Sequence, residues 1–264
     1  MVPAGLENGP FFHYTGSMRG GRSMTLTAVN TLSEEQKKKT SELAALCRDF
    51  DGSTLSFPAE DGDFFVLVFQ DDVLACALAL CRLEDCLCEC AAFTRPSLRC
   101  RGYFSQALAC AESHFPNDDF SFVTDGHCPA AAFVLKRLSA GFWYCEHMMR
   151  LDFAGWQPPV RPIPPAFSIE EDGRGHFSAW ICGKKAGSCS TMPSGDSVYL
   201  WGLKIRAPFR GKGFGKAFLL QVLKHLETRT PSVLLQVAGD NTAALNLYKK
   251  TGFRITETLS YYLY

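Results

Sequence analysis

Apolar positions along the chain change period repeatedly, and each change marks an element. In "SEEQKKKTSELAALCRDF" (33–50), Leu43, Ala44, Leu46 and Cys47 form a helical stripe. Ser33 with Glu35 and Gln36 behind it offers an N-cap region, and Asp51-Gly52 a stop. Apolar runs without helical spacing follow over 64–70, 73–83 and 86–94 and read as strands. The first two are joined by Asp71-Asp72, a two-residue hairpin turn without the preferred glycine. The pattern then predicts a helix over 102–115 ended by Pro116, a strand over 120–126, a helix over 130–140 and a strand over 142–153.

Five prolines in "QPPVRPIPPA" (157–166) cannot form a helix and read as a linker. Beyond it the order of elements repeats. A strand starts at Phe167. Strands over 176–183 and 185–192 form a hairpin across Gly183-Lys184-Lys185. A strand over 197–205, a turn, a helix, a strand over 232–238, a short helix over 241–250 and a terminal strand complete the series. This predicts an internal duplication: a first domain over 24–153, a linker over 154–166 and a second domain over 167–264. The local matches are "PSLRCRGYFSQAL" against "PFRGKGFGKAFL", with one residue gained, and "AFVLKRLSAGF" against "LNLYKKTGF". Residues 1–23 are Gly-rich and aperiodic and are set aside as non-native or disordered. "RGGRS" before Met24 fits a purine-rich ribosome-binding stretch, which makes Met24 the expected start.

Composition narrows the function. With 264 residues, 47% hydrophobic and 20% charged, the chain can bury a sizeable core. Its 27 basic and 27 acidic residues cancel, which argues against a broad nucleic-acid surface. No apolar run suits a transmembrane helix and no secretory signal is evident, so cytoplasm is the expected location and no membrane partner is expected. The twelve cysteines are then expected to be reduced; none forms C-x-x-C, and no zinc spacing appears, so no metal is expected. Cys86, Cys88 and Cys90 alternate in "CLCEC". They read as small buried hydrophobes on one strand face, with a metal or redox site as the alternative.

The chemistry concentrates in "RGKGFGK" (210–216), between a strand and a helix. Helix-start amides are unsatisfied and sit at the positive end of the dipole, and glycines let a ligand approach them. Arg210, Lys212 and Lys216 add charge, so the turn is a natural anion site. It is not a P-loop, because Ala217 follows Gly215-Lys216. It is not a dinucleotide fingerprint, because its spacing is G-x-G-x-G.

Arg210, Gly213 and Gly215, followed by Asn241, Ala244, Tyr248 and Gly252-Phe253, resemble the two hallmarks of the GNAT superfamily of acyl-CoA N-acyltransferases. The close resemblance covers about 198–264. It implies a mixed α/β fold of two GNAT-like units, each a mostly antiparallel mixed sheet flanked by helices. Acetyl-CoA is the implied co-substrate. Amides of Gly211, Lys212, Gly213, Phe214, Gly215 and Lys216 would hold its diphosphate. The edge of Leu203, Lys204 and Ile205 would pair with its pantetheine arm. Asp240 or Asn241 would cap the helix that carries Tyr248, which resembles the family's general acid. The implied reaction is direct attack of a primary amine on the acetyl thioester. The alternatives are a non-catalytic acyl-CoA-binding module and a transferase of another acyl group. The central strand lacks the Glu that many relatives carry; Glu170, Glu171, Asp196 and the carboxylate of Tyr264 are the candidate bases. The first half keeps one glycine of three, in Arg99-Cys100-Arg101-Gly102-Tyr103-Phe104, and reads as a scaffold.

Overall fold

The computed structural model describes residues 12–17, 23–159 and 167–264. They form strands β1 (Phe12–Ser17), β2 (Ser23–Val29), β3 (Phe64–Gln70), β4 (Val73–Glu84), β5 (Leu87–Thr94), β6 (Asp119–Thr124), β7 (Gly141–Asp152), β8 (Phe167–Glu171), β9 (His176–Ile181), β10 (Lys184–Ser194), β11 (Ser197–Ile205), β12 (Ser232–Ala238) and β13 (Arg254–Leu263). The helices are α1 (Glu34–Asp51), α2 (Tyr103–His114), α3 (Pro129–Leu138), α4 (Phe214–Leu226) and α5 (Thr242–Lys249). Residues 12–17, set aside above, pair antiparallel with β2. Most of the Pro-rich passage, 160–166, lies outside the described residues.

The chain divides into two compact units. One comprises the residues up to Trp143 together with Ser260–Tyr264, and the other comprises Tyr144–Leu259. The division departs from the sequence repeats at their last strands. β7 closes the first repeat, yet its residues 146–152 pair antiparallel with β12. β13 closes the second, yet its residues 260–263 pair with β6.

In the first unit, helices cover both faces of the sheet. α1 buries Leu43, Ala44 and Cys47 against Phe65, Leu67, Ala77 and Ala79. α2 and α3 bury Ala107, Leu108, Ala111 and Leu135 against Val66, Val68, Leu78 and Leu80 on the other face. This explains why "FFVLVF" and "LACALAL" are unbroken apolar runs: every side chain of a doubly covered strand is inside. Local signals act as read. Ser33 and Gln36 form a reciprocal capping box, and Gly52 ends α1 in the left-handed region. Asp71 takes φ +53°, the role a glycine would have filled in the hairpin.

In the second unit, α4 and α5 pack on one face, in a single cluster with Leu200, Val233, Leu235 and Val237. The strands accordingly alternate. Phe177, Ala179 and Ile181 are buried while His176, Ser178 and Trp180 between them are not. The β9–β10 turn is Cys182-Gly183, one residue earlier than the expected Gly183-Lys184-Lys185, because both residues adopt positive φ.

Candidate functional site

β11 and β12 are parallel neighbours, but their pairing covers only Val198 with Val233 and Tyr199 with Leu234. Beyond that point β11 stays on β10 out to Ile205, and β12 stays on β7 out to Ala238. The two strands therefore part, and among the described residues the edge of Leu200–Ile205 facing β12 has no strand partner there. On its other side β11 carries a bulge. Ser190 opposes Trp201 and Ser188 opposes Lys204, so Gly202 and Leu203 together face Cys189. Gly202 has φ +65°, which a side chain would resist. The signal for the bulge was the glycine inside "LWGL". The corresponding strand β5 pairs with β4 from Thr94 to Glu89 without interruption.

A single 3₁₀ turn, Ala207–Phe209, leads from β11 into the glycine turn. Gly211 and Gly213 have φ of +72° and +81°, and a Cβ built on either would meet nothing within 4 Å. The surface above both is open. Gly213 is the N-cap of α4, and no side chain caps that helix, so the amides of Phe214, Gly215 and Lys216 keep their donors. Gly215 is less constrained: a Cβ would reach Ile205 Cγ1 at 3.5 Å and Leu247 Cδ2 at 3.8 Å, ordinary contacts. Two predicted phosphate cations help build the turn itself. Arg210 Nε donates to the Ile205 carbonyl at 2.7 Å, and Lys212 Nζ to that of Pro208 at 3.0 Å. Lys204 is exposed, while Leu203 and Ile205 are half-buried against the core.

Of the two cap candidates on α5, Asn241 acts: its Oδ1 accepts from the Ala244 amide at 3.1 Å. Tyr248, on the buried side of α5, packs edge-on against Phe253 with 5.7 Å between ring centroids. Burial first, then the neighbouring Cys189 and Tyr199, push its phenol up to about 12. It therefore stays protonated through the ordinary tyrosine range, as a proton donor must. Among the described residues its hydroxyl has no hydrogen-bond partner in the protein.

The turn of the first unit has the same backbone. Cys100 and Gly102 take φ of +61° and +86°, and Arg99 Nε donates to the Thr94 carbonyl, again five residues back. The two turns align without a gap from Arg95 and Arg206 onward. The residue gained in the sequence comparison came from matching Pro96 to Pro208, whereas Ser97 is the counterpart of Pro208. The partners of the two arginines differ. In the first unit the guanidinium of Arg99 is gripped by both oxygens of Asp51, at 2.8 and 2.6 Å, from the end of α1. Arg99 holds the Asp51 carboxyl below its usual range. Nearby, Asp125 accepts from Ser53 Oγ at 2.7 Å and the Thr54 amide at 2.8 Å.

Of the acids considered as bases, Glu171 accepts from His225 at 2.6 Å and from Arg229 at 3.0 Å. Asp196 lies in the turn before β11, at the end where the strands are paired, and Glu170 is exposed. Tyr264 belongs to the first unit, where its amide and carbonyl pair with Phe120. Of the alternating cysteines, Cys88 and Cys90 are buried, but Cys86 is exposed in the turn before β5. Among the described residues no group of three or more His, Cys, Asp or Glu could hold a metal ion.

Residues 135–253 match the model of the "Acetyltransferase (GNAT) family". This stretch is a GNAT-family domain. It starts within α3, takes in β7 and ends at Phe253, and so reaches upstream of the motifs at 198–264. A mycothiol acetyltransferase from Saccharomonospora viridis is 43% identical over 67 residues, 25% of this chain. The match spans about a fifth of that relative's length (21%). Among solved structures, a GCN5-related N-acetyltransferase from Sphaerobacter thermophilus superposes with a TM-score of 0.70 at 14% identity, covering 90% of this chain and 95% of its own. A tandem GNAT protein from the clavulanic acid biosynthesis pathway gives 0.67 at 15% identity, covering 91% and 98%. The fold is thus shared along nearly the whole chain, while the family match falls on the GNAT domain.

Proposed function

We propose that the GNAT domain is an N-acetyltransferase that moves the acetyl group of acetyl-CoA to a primary amine by direct attack on the thioester. The observation that carries this reading is the parting of β11 and β12 on the strand that leads into an open, uncapped glycine turn. The diphosphate would lie on the amides of Gly211–Lys216 at the positive end of α4. The pantetheine arm would pair with the free edge of Leu203–Ile205, and the thioester would rest where the strands diverge. An amide at the Gly202–Leu203 bulge would donate to the developing oxyanion. Tyr248 would protonate the departing thiolate. The twelve cysteines are all free, which fits a reducing compartment such as the cytoplasm.

Titration calorimetry with acetyl-CoA, paired with coenzyme A release across a panel of primary amines, tests the reading. Saturable binding with amine-dependent release is expected. Saturable binding without release from any amine would favour an acyl-CoA-binding module, and absence of binding would overturn the donor site.

A further inference from the structure

The strands that part at Tyr199 and Leu234 have two faces, and Tyr248 serves only one. Val233, Leu235 and Val237 of β12 point into the core with α4 and α5. Leu234, Gln236 and Ala238 point the other way, by the alternation of a strand. Tyr199 shares that face through its register with Leu234, and Glu146 shares it through its register with Ala238. Their side chains meet. Gln236 Nε2 donates to Glu146 Oε2, and the Tyr199 hydroxyl lies 3.5 Å from Gln236 Oε1. Trp201, two residues after Tyr199, is 52% exposed on the same face.

Glu146 differs from the other half-buried acids of this unit that form ion pairs. Glu171 is held by His225 and Arg229, and Asp152 by Arg150 and Arg254. Among the described residues no cation pairs with Glu146; a neutral amide orients it. The carboxylate is thus held in place by the protein while its charge is left for a cation to match. Its position names the cation: it lies on the face of the sheet opposite Tyr248, across β12 from the gap, and Gln236 links it to Tyr199 where the strands part. We infer that Glu146 receives the protonated amine of the acceptor and removes its proton, with Gln236 as the residue that positions the carboxylate. This rests on the acetyltransferase reading above.

The protons balance as follows. Glu146 takes one proton from the ammonium, and the freed lone pair forms the C–N bond. The tetrahedral intermediate collapses, the C–S bond breaks and Tyr248 gives its proton to the sulfur. The second proton lost by the nitrogen replaces the one on Tyr248, and the proton on Glu146 leaves to water. The products are the amide, coenzyme A and one proton.

Two small acceptors separate this role from a structural one: butylamine, protonated at neutral pH, and methoxyamine, already neutral. Glu146→Gln should lower kcat/KM for butylamine by about 100-fold and for methoxyamine by less than about fivefold, since only the former needs a base. Acetyl-CoA affinity by calorimetry should not change, and Glu146→Asp should keep part of the butylamine activity. Equal losses with both amines, no loss with either, or a wild type that binds acetyl-CoA and acetylates neither would overturn the inference. A wild type that does not bind acetyl-CoA would instead overturn the donor site on which it rests.

Discussion

Two strand–turn–helix loops in this chain have the same backbone and different side-chain partners. Arg99–Tyr103 and Arg210–Phe214 share the left-handed residues, the 3₁₀ turn before them and the arginine tied to the carbonyl five residues back. In the first, α1 ends in Asp51, whose carboxylate takes the arginine in a two-pronged grip. In the second unit no helix precedes the hairpin among the described residues; the space above Gly211 and Gly213 is open, as it is above Gly102. Arg99 of the first turn is therefore already paired with an anion of the protein, whereas among the described residues Arg210 of the second pairs with no carboxylate. The difference lies in the arginine's partner and in Cys100, which puts a side chain where the second turn has Gly211. Cys100 shows that even the glycine at that position is replaceable in backbone terms.

The comparison breaks hardest at Tyr248. Tyr248→Phe should lower kcat by about 10²–10⁴-fold, the usual range for a lost proton donor, while acetyl-CoA affinity by calorimetry stays the same. The first unit's second helix has no such dependence to lose. Next in size is Asp51→Ala, which strands a mostly buried Arg99 and should cost about 3 kcal/mol of stability in urea unfolding. This contribution also depends on pH. Arg99 depresses the folded pKa of Asp51, so the stabilisation is complete above the ordinary carboxylate range and is lost as pH falls through the folded value. Unfolding curves at descending pH should converge for wild type and Asp51→Asn.

Smaller effects sharpen the contrast. Gly213→Ala places a Cβ at φ +81° and should cost about 1–2 kcal/mol in folding, with acetyl-CoA affinity weakened on top. Gly102→Ala, at φ +86°, should cost a similar amount in folding and leave affinity unchanged. Gly215→Ala should have the smallest effect on folding, because its Cβ has room, and any loss should appear in binding alone. Thermal melts and calorimetry on the three variants separate the two readouts.

Much of this was legible beforehand, for physical reasons. Unbroken apolar runs in β3 and β4 and alternating ones in β9 reported how many faces each sheet has covered. The glycine turn announced itself because left-handed φ and close approach both demand glycine, and Asn241 and Ser33 acted as caps. What stayed hidden depends on distance along the chain. The Asp51–Arg99 pair joins residues 48 apart, and nothing local to either predicts it. The pairing of β7 with β12, and of the end of β13 with β6, is likewise a long-range choice among strands of similar pattern. Glu146 carries no local signal either: it stands on β7, the last strand of the first repeat, while its register partner Ala238 belongs to the second. The bulge at Gly202 was readable in principle, since a glycine within a strand often marks one.

The most direct measurement is the stoichiometry of coenzyme A binding to the purified chain by titration calorimetry. One site per chain, lost or weakened in Gly213→Ala and kept in Gly102→Ala, is the predicted result. Two sites would mean that the Asp51–Arg99 pair and the Cys100 side chain do not keep coenzyme A from the first turn, and none would mean that the second turn is not a donor site; either contradicts the account.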